Sequence, residues 1–240
     1  MLTRRLFVAA APAAALAACS RPMSPDTMST PAAPADAITA PAVPIPPMPA
    51  RYGAISGEPH PVPAVPEGVV PPELWRQEIA NPYPDRNPTD IVVDPDAAFL
   101  FLILPEGRAL RYGVSVGRAG FAWAGESVVQ FTRSWPRWKV PDTMIARQPE
   151  LAPYSVNNGG MAGGPGNPLG ARALYLFQDG VDTLYRIHGG SEPEYLGKAV
   201  SSGCIRMLDQ DAIDLEQRVR HHARVLVLPS FDNGNRTFIY

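Results

Sequence analysis

Ala173-Leu174-Tyr175-Leu176-Phe177-Gln178-Asp179-Gly180-Val181-Asp182-Thr183-Leu184-Tyr185-Arg186-Ile187-His188 is the stretch that decides the fold class. Two β-rich runs flank Gln178-Asp179-Gly180, and an Asp-Gly pair between such runs marks a hairpin, because both residues tolerate the torsions a tight turn needs. A strand therefore ends on His188. Upstream, Ile91-Val92-Val93 and Ala98 to Leu104 are apolar β-rich runs, Pro105-Glu106-Gly107-Arg108 is a turn, and Ala109 to Val116 returns as a strand. Downstream, Arg224 to Leu228 closes the set. A short helix is expected over Glu73 to Ala80. A second is expected over Asp209 to Arg220, with Asp209 as N-cap and Leu208, Ala212, Leu215 and Val219 as its buried stripe. The chain is thus mainly β with one or two helices.

Just past the hairpin lie His188-Gly189-Gly190 and, eleven residues later, Ser201-Ser202-Gly203-Cys204-Ile205-Arg206. A histidine, a thiol and an arginine in one segment suit acyl transfer through a thioester. The thiolate is the reactive form, and His188 is the base that makes it. A separation of sixteen residues lets a strand end, a loop cross and the chain return. Gly203 admits torsions closed to other residues and lets a carbonyl approach the main chain. Main-chain groups of Ser202, Gly203 and Gly189, with the Cys204 amide, are the candidates for holding an oxyanion and orienting the histidine. Arg206 either binds a carboxylate or lowers the thiol pKa. No acid lies close to His188 in sequence, so a backbone carbonyl at Gly189 or Gly190 is expected to orient its ring. The bland alternatives for Cys204 are a disulfide to Cys19 or an inert buried thiol.

The segment from His188 to Arg206 resembles the signature of the L,D-transpeptidase (YkuD-type) catalytic domain, His-Gly, a spacer, then Ser-x-Gly-Cys-aliphatic-Arg. The run from Met161 through Gly163 to Tyr175 and the Pro105 to Arg108 turn resemble the family as well, so the likeness covers about residues 73 to 229. The resemblance implies a β-sandwich or barrel-like catalytic domain that acts on peptidoglycan stem peptides without a cofactor. It implies that Cys204 and His188 are catalytic, that Arg206, Ser201, Gly190, Met161, Gly163 and Tyr185 contact substrate, and that carbapenem-type β-lactams acylate Cys204. Two positions depart from the pattern: Ser202 stands where many members have a second histidine, and Gly190 where Thr or Ser is common. A cysteine peptidase or amidase that lets water resolve the thioester, and a non-catalytic wall-binding lipoprotein, are the competing readings.

With 240 residues the chain has room for one catalytic domain and an appendage, and its net charge of -2 offers no basic field for nucleic acid. Residues 1-19 read as an export signal: Arg4-Arg5 precede an apolar run, and Leu16-Ala17-Ala18-Cys19 resembles a lipoprotein cleavage box, making Cys19 the lipidation candidate. A twin-arginine or a general signal fits equally. Lipidation would place the protein in the periplasm, anchored to the outer membrane, where an outer-membrane protein is a further candidate acceptor. Fifteen of the 29 prolines fall between Arg21 and Pro72, so residues 20-72 are expected as a Pro/Ala-rich disordered tether, either reaching the wall or idle. The catalytic domain then spans 73-230 and a tail 231-240. Trp123, Trp135 and Trp138 line a cleft or plug a small satellite core. Six glycines in the fourteen residues from Asn157 to Gly170 form a mobile substrate loop or an irregular connection. No metal site is expected, since His188, Cys204 and a third ligand lack metal spacing.

Overall fold

The computed structural model describes residues 46–117, 123–201 and 203–230. The expected signal, Cys19, the first part of the tether, Ser202 and the tail lie outside the described residues.

Eleven strands follow one another: β1 (Gln77–Ala80), β2 (Ile91–Asp94), β3 (Phe99–Ile103), β4 (Arg108–Gly113), β5 (Val116–Gly117), β6 (Gly125–Ser134), β7 (Arg172–Gln178), β8 (Val181–His188), β9 (Ala199–Ser201), β10 (Ile205–Arg206) and β11 (Arg224–Val227). Helices α1 (Asp142–Ile145) and α2 (Asp209–Arg218) accompany them, with short 3-10 turns. Nine strands form one mixed sheet in the order β1-β4-β3-β2-β11-β6-β7-β8-β10, and β5 pairs β9 in a ribbon. The two hairpins stand where the turn residues put them. Glu106 and Gly107 turn β3 into β4, and Asp179 and Gly180 turn β7 into β8, all four with positive φ.

Strict alternation builds the core. Ile91, Val93, Leu100 and Leu102 face one cluster with Leu174, Leu176, Ile187 and the α2 residues Ala212 and Leu215, while Val92, Phe101 and Ile103 face a second one on the outer side. Ser115, just past β4, exchanges two 2.8 Å backbone hydrogen bonds with Arg206 of β10. The far ends of the sheet thus meet, which gives the barrel-like closure that the resemblance implies.

Three expectations change. Glu73 to Ala80 is not a helix: Pro72–Leu74 is a single 3-10 turn and Gln77–Ala80 is an edge strand, because pairing with β4 outweighs the local propensity of a short segment. The second helix ends at Arg218, where Val219 turns extended, and its N-cap is Leu208. Residues 46–72 are folded instead of forming tether. Their apolar side chains Tyr52, Val62, Val65 and Val70 are buried against the domain, with Met48 and Ile55 partly buried and Val69 exposed. The prolines between them keep the chain extended with few backbone donors to satisfy, so little sequence hydrophobicity suffices to hold the segment down. Strand β6 and helix α1 were not anticipated. A bulge between Val129 and Phe131 breaks the alternation of β6.

Candidate functional site

Strands β8 and β10 run parallel, with Ile187 opposite Ile205 and His188 opposite Arg206. Ile187 and Ile205 point into the core, so the side chains one residue away point to the other face. That face carries Arg186 and His188 from β8 and Arg206 from β10, and Cys204 sits in the bend just before β10. The Arg186 backbone N–H is directed at the Cys204 sulfur.

The backbone around the pair is fixed by specific contacts. His188 is only 3% exposed, and its Nδ1 donates to the Gly189 carbonyl at 2.8 Å, which leaves Nε2 without a proton. The expected orienting carbonyl is therefore that of Gly189. Its N–H is committed to the Arg172 carbonyl at 2.9 Å, so Gly189 supplies no oxyanion donor. Asp209 holds the loop that follows. Its Oδ1 accepts the N–H of Ala171 at 2.7 Å and of Gly190 at 3.0 Å, and a Cβ on Gly189 would overlap that oxygen. The expected N-cap aspartate is thus a loop clamp, held partly protonatable by burial, which raises its pKa against the two N–H donors. Gly203 has φ 130°, a torsion that favours glycine, and its Cα sits where a side chain on Gly117 would be.

Electrostatics favour a neutral pair. Burial, then the nearby Arg206 charge, pushes the His188 pKa down to about 3, against a smaller raising effect of the Gly189 carbonyl. Burial raises the Cys204 thiol pKa, opposed by the Arg186 N–H and by the Arg186 and Arg206 charges. The resting site is imidazole and thiol, in place of the expected standing thiolate, with two guanidinium groups beside it to stabilise negative charge when it forms.

Arg186 was not singled out in the sequence, although its place two residues before His188 puts it on the same face. It forms a bidentate pair with Asp182 at 2.7 and 2.8 Å and lies over the Tyr175 ring at 4.2 Å. These three residues line a cavity of about 350 Å³ together with Cys204, Leu184, Trp138 and Met144. Leu184 is 55% exposed and has φ 63°, an unusual torsion for a leucine, at the mouth of this cavity. A larger cavity of about 750 Å³ is lined by Arg206, Gly190, Glu192, Asp209, Trp135 and residues of the glycine-rich loop. The Arg206 Nε is buried and has no hydrogen-bond partner among the described residues.

The remaining expected substrate contacts divide. Gly190 and Arg206 line the larger cavity. Met161 exchanges backbone hydrogen bonds with Trp138 at 2.8 and 2.9 Å, and a Cβ on Gly163 would overlap the Trp135 carbonyl, so both serve loop packing. Tyr185 packs on the main core and stacks with Trp123. Ser201 ends β9. The glycine-rich loop is pinned: the buried Asn167 side chain donates to the carbonyls of Pro136 and Ala162 at 3.1 and 2.9 Å. Trp135 and Trp138 combine both expected roles, since each lines a cavity while Trp135 also packs on a small cluster with Val62 and Ile213.

The family model described as the YkuD L,D-transpeptidase catalytic domain matches residues 88–227, more than half of the chain. A Bacillus subtilis protein named putative L,D-transpeptidase YqjB is 39% identical over 87 residues, 36% of this chain and 47% of its own length. The Escherichia coli protein named probable L,D-transpeptidase ErfK/SrfK is 29% identical over 153 residues, 60% of this chain and 46% of its own. The chain thus spans less than half the length of these curated relatives. A solved Brucella melitensis structure, described as a probable carnitine operon oxidoreductase, is 41% identical and covers 62% of this chain and 90% of its own, with a TM-score of 0.44.

Proposed function

Because the chain belongs to the YkuD L,D-transpeptidase catalytic domain family, we propose that it is a cysteine acyltransferase that cross-links peptidoglycan stem peptides. The observation that supports it most is the sheet face shared by Arg186, His188 and Arg206, with the Arg186 N–H directed at the Cys204 sulfur, the His188 Nδ1 proton tied to Gly189 and Nε2 left as a base.

In this reading the stem peptide places the carbonyl of its third residue against Cys204. As the sulfur attacks, its proton passes to His188 Nε2, so that neither the thiol nor the imidazole is charged before substrate arrives. The oxyanion is held by the N–H groups of Gly203 and Cys204, and the Arg186 and Arg206 charges favour it. Collapse of the tetrahedral species breaks the bond to the terminal D-alanine, whose amine takes the proton from His188. The amine of a second stem then attacks the thioester, gives its proton to His188 and forms the new amide, and the proton returns to the departing sulfur. Burial keeps the His188 imidazole neutral at neutral pH, the form that can take a proton. An exported, lipid-anchored location follows from Arg4-Arg5 and the box ending at Cys19, and an outer-membrane protein is a further acceptor under the same chemistry.

Incubation of purified protein with disaccharide tetrapeptide, read by mass spectrometry, tests the reading. A dimer that has lost one D-alanine is expected. A monomeric product that has lost D-alanine marks a hydrolase, and unchanged substrate marks a protein that only binds the wall.

A further inference from the structure

The family match begins at residue 88, yet the chain is already folded onto the domain from residue 46. Three anchors hold this preceding strap. Tyr52 donates to Asp211 at 3.2 Å and accepts the Arg76 N–H at 2.6 Å. Glu58 takes Arg172 at 2.6 and 2.9 Å and the Trp135 indole N–H at 3.0 Å. Gln210 of α2 donates to the Pro63 carbonyl at 2.8 Å. Between the last two anchors the chain alternates. Val62 is buried in a cluster with Ala171 and Ile213, while Pro61 and Pro63 turn outward onto the 750 Å³ cavity, across from Arg206 and Gly190.

We propose that this strap is the wall of the acceptor subsite: Pro61 and Pro63 shape the space in which the incoming amine resolves the thioester, and Glu58 is the positioning residue that clamps them. The inference rests on the acyl-transfer reading above. The donor carbonyl must touch Cys204, so the donor belongs to the 350 Å³ cavity that Cys204 lines. The second substrate needs its own approach to the thioester, and the larger cavity is the candidate, because it is lined by Arg206, which pairs with His188 across the ladder, and by Gly190, two residues past His188. Prolines suit such a wall, since their fixed φ keeps it rigid and they carry no N–H to hold water against the thioester. Whether an amine or water takes the acyl group then depends on how well this wall is kept in place. The clamp is firm: the Arg172 hydrogen bonds hold the Glu58 carboxyl below the usual carboxylate range.

Two variants test this, Glu58→Gln and the double variant Pro61→Gly with Pro63→Gly, assayed with disaccharide tetrapeptide. Released D-alanine counts acylations and dimer counts captures, so their ratio does not depend on how much enzyme is folded. Expected is a rate of D-alanine release within about two-fold of the parent and a dimer-to-D-alanine ratio lowered about five-fold or more in both variants. A ratio unchanged in both, or D-alanine release falling in step with dimer, overturns the proposal. Failure of the parent to release D-alanine would instead refute the acyl-transfer reading on which it rests.

Discussion

Replacing Asp209 with alanine removes one oxygen that does two tasks. Oδ1 accepts the N–H groups of Ala171 and Gly190, at 2.7 and 3.0 Å, and so ties the start of β7 to the loop carrying Gly189. Hydrogen bonds to a charged group contribute about 1.5–3 kcal/mol each, and two stranded donors put the loss near 3–5 kcal/mol. With a urea m-value on the order of 1–3 kcal/mol per molar, the unfolding midpoint should fall by about 1–5 M. Asp209→Asn keeps an acceptor oxygen and should lose less than half of that. Activity should fall further than stability in the protein that remains folded. Once the loop loosens, the Gly189 carbonyl no longer holds the His188 Nδ1 proton, and loss of such an orienting partner costs roughly 10–100-fold in catalysis by analogy with outer-shell partners of metal-bound histidines. Urea melts and dimer formation under native conditions read the two effects separately. An alanine variant that melts within about 0.3 M of the parent and keeps its rate would refute the clamp.

Further expectations concern charge and packing. With thiol pKa raised and imidazole neutral, alkylation of Cys204 by iodoacetamide should quicken with rising pH through and beyond the ordinary thiol range, and a plateau between pH 6 and 7 would reveal a standing ion pair. Arg206→Met should raise the His188 pKa and the Cys204 pKa together, visible as a shift of the His188 ring resonances in NMR titration. Tyr52→Phe strands the buried Asp211 and the Arg76 N–H and should cost about 1–3 kcal/mol in denaturant melts. Asp211 is fully buried, and burial, eased by Arg76, raises its pKa to about 7. The folded state therefore keeps a proton that the unfolded chain gives up near the ordinary carboxylate value. This contribution is present in full below that value and is lost as pH rises through about 7, so the stability of the parent relative to Asp211→Asn should increase as pH falls from 8 to 5.

The sequence revealed what depends on neighbours along the chain. Asp179-Gly180 and Glu106-Gly107 announced their hairpins because the torsions of a two-residue turn are set locally. The strand ending on His188 and its ring bond to the following carbonyl were likewise readable in the sequence. What depends on distant partners was not. Asp209 looked like an N-cap because it opens a helix, and only the fold brings Ala171 and Gly190 to its carboxylate. Residues 46–72 looked like linker because their apolar side chains are few, and nothing local says that Tyr52, Val62, Val65 and Val70 find buried places. Gln77–Ala80 had no strand signal of its own and is a strand only because β4 is there to pair with it. Arg186 was within reach of the period-two rule, and overlooking it cost the second guanidinium of the site.

The central claim is that Cys204 carries the acyl group. Protein mixed with disaccharide tetrapeptide, quenched in acid within the first turnovers and digested, should yield the peptide containing Cys204 heavier by the stem acyl residue minus D-alanine, and the same adduct should be missing in Cys204→Ser. Turnover to dimer by Cys204→Ser at the parent rate, or an adduct on any other residue, would contradict the account.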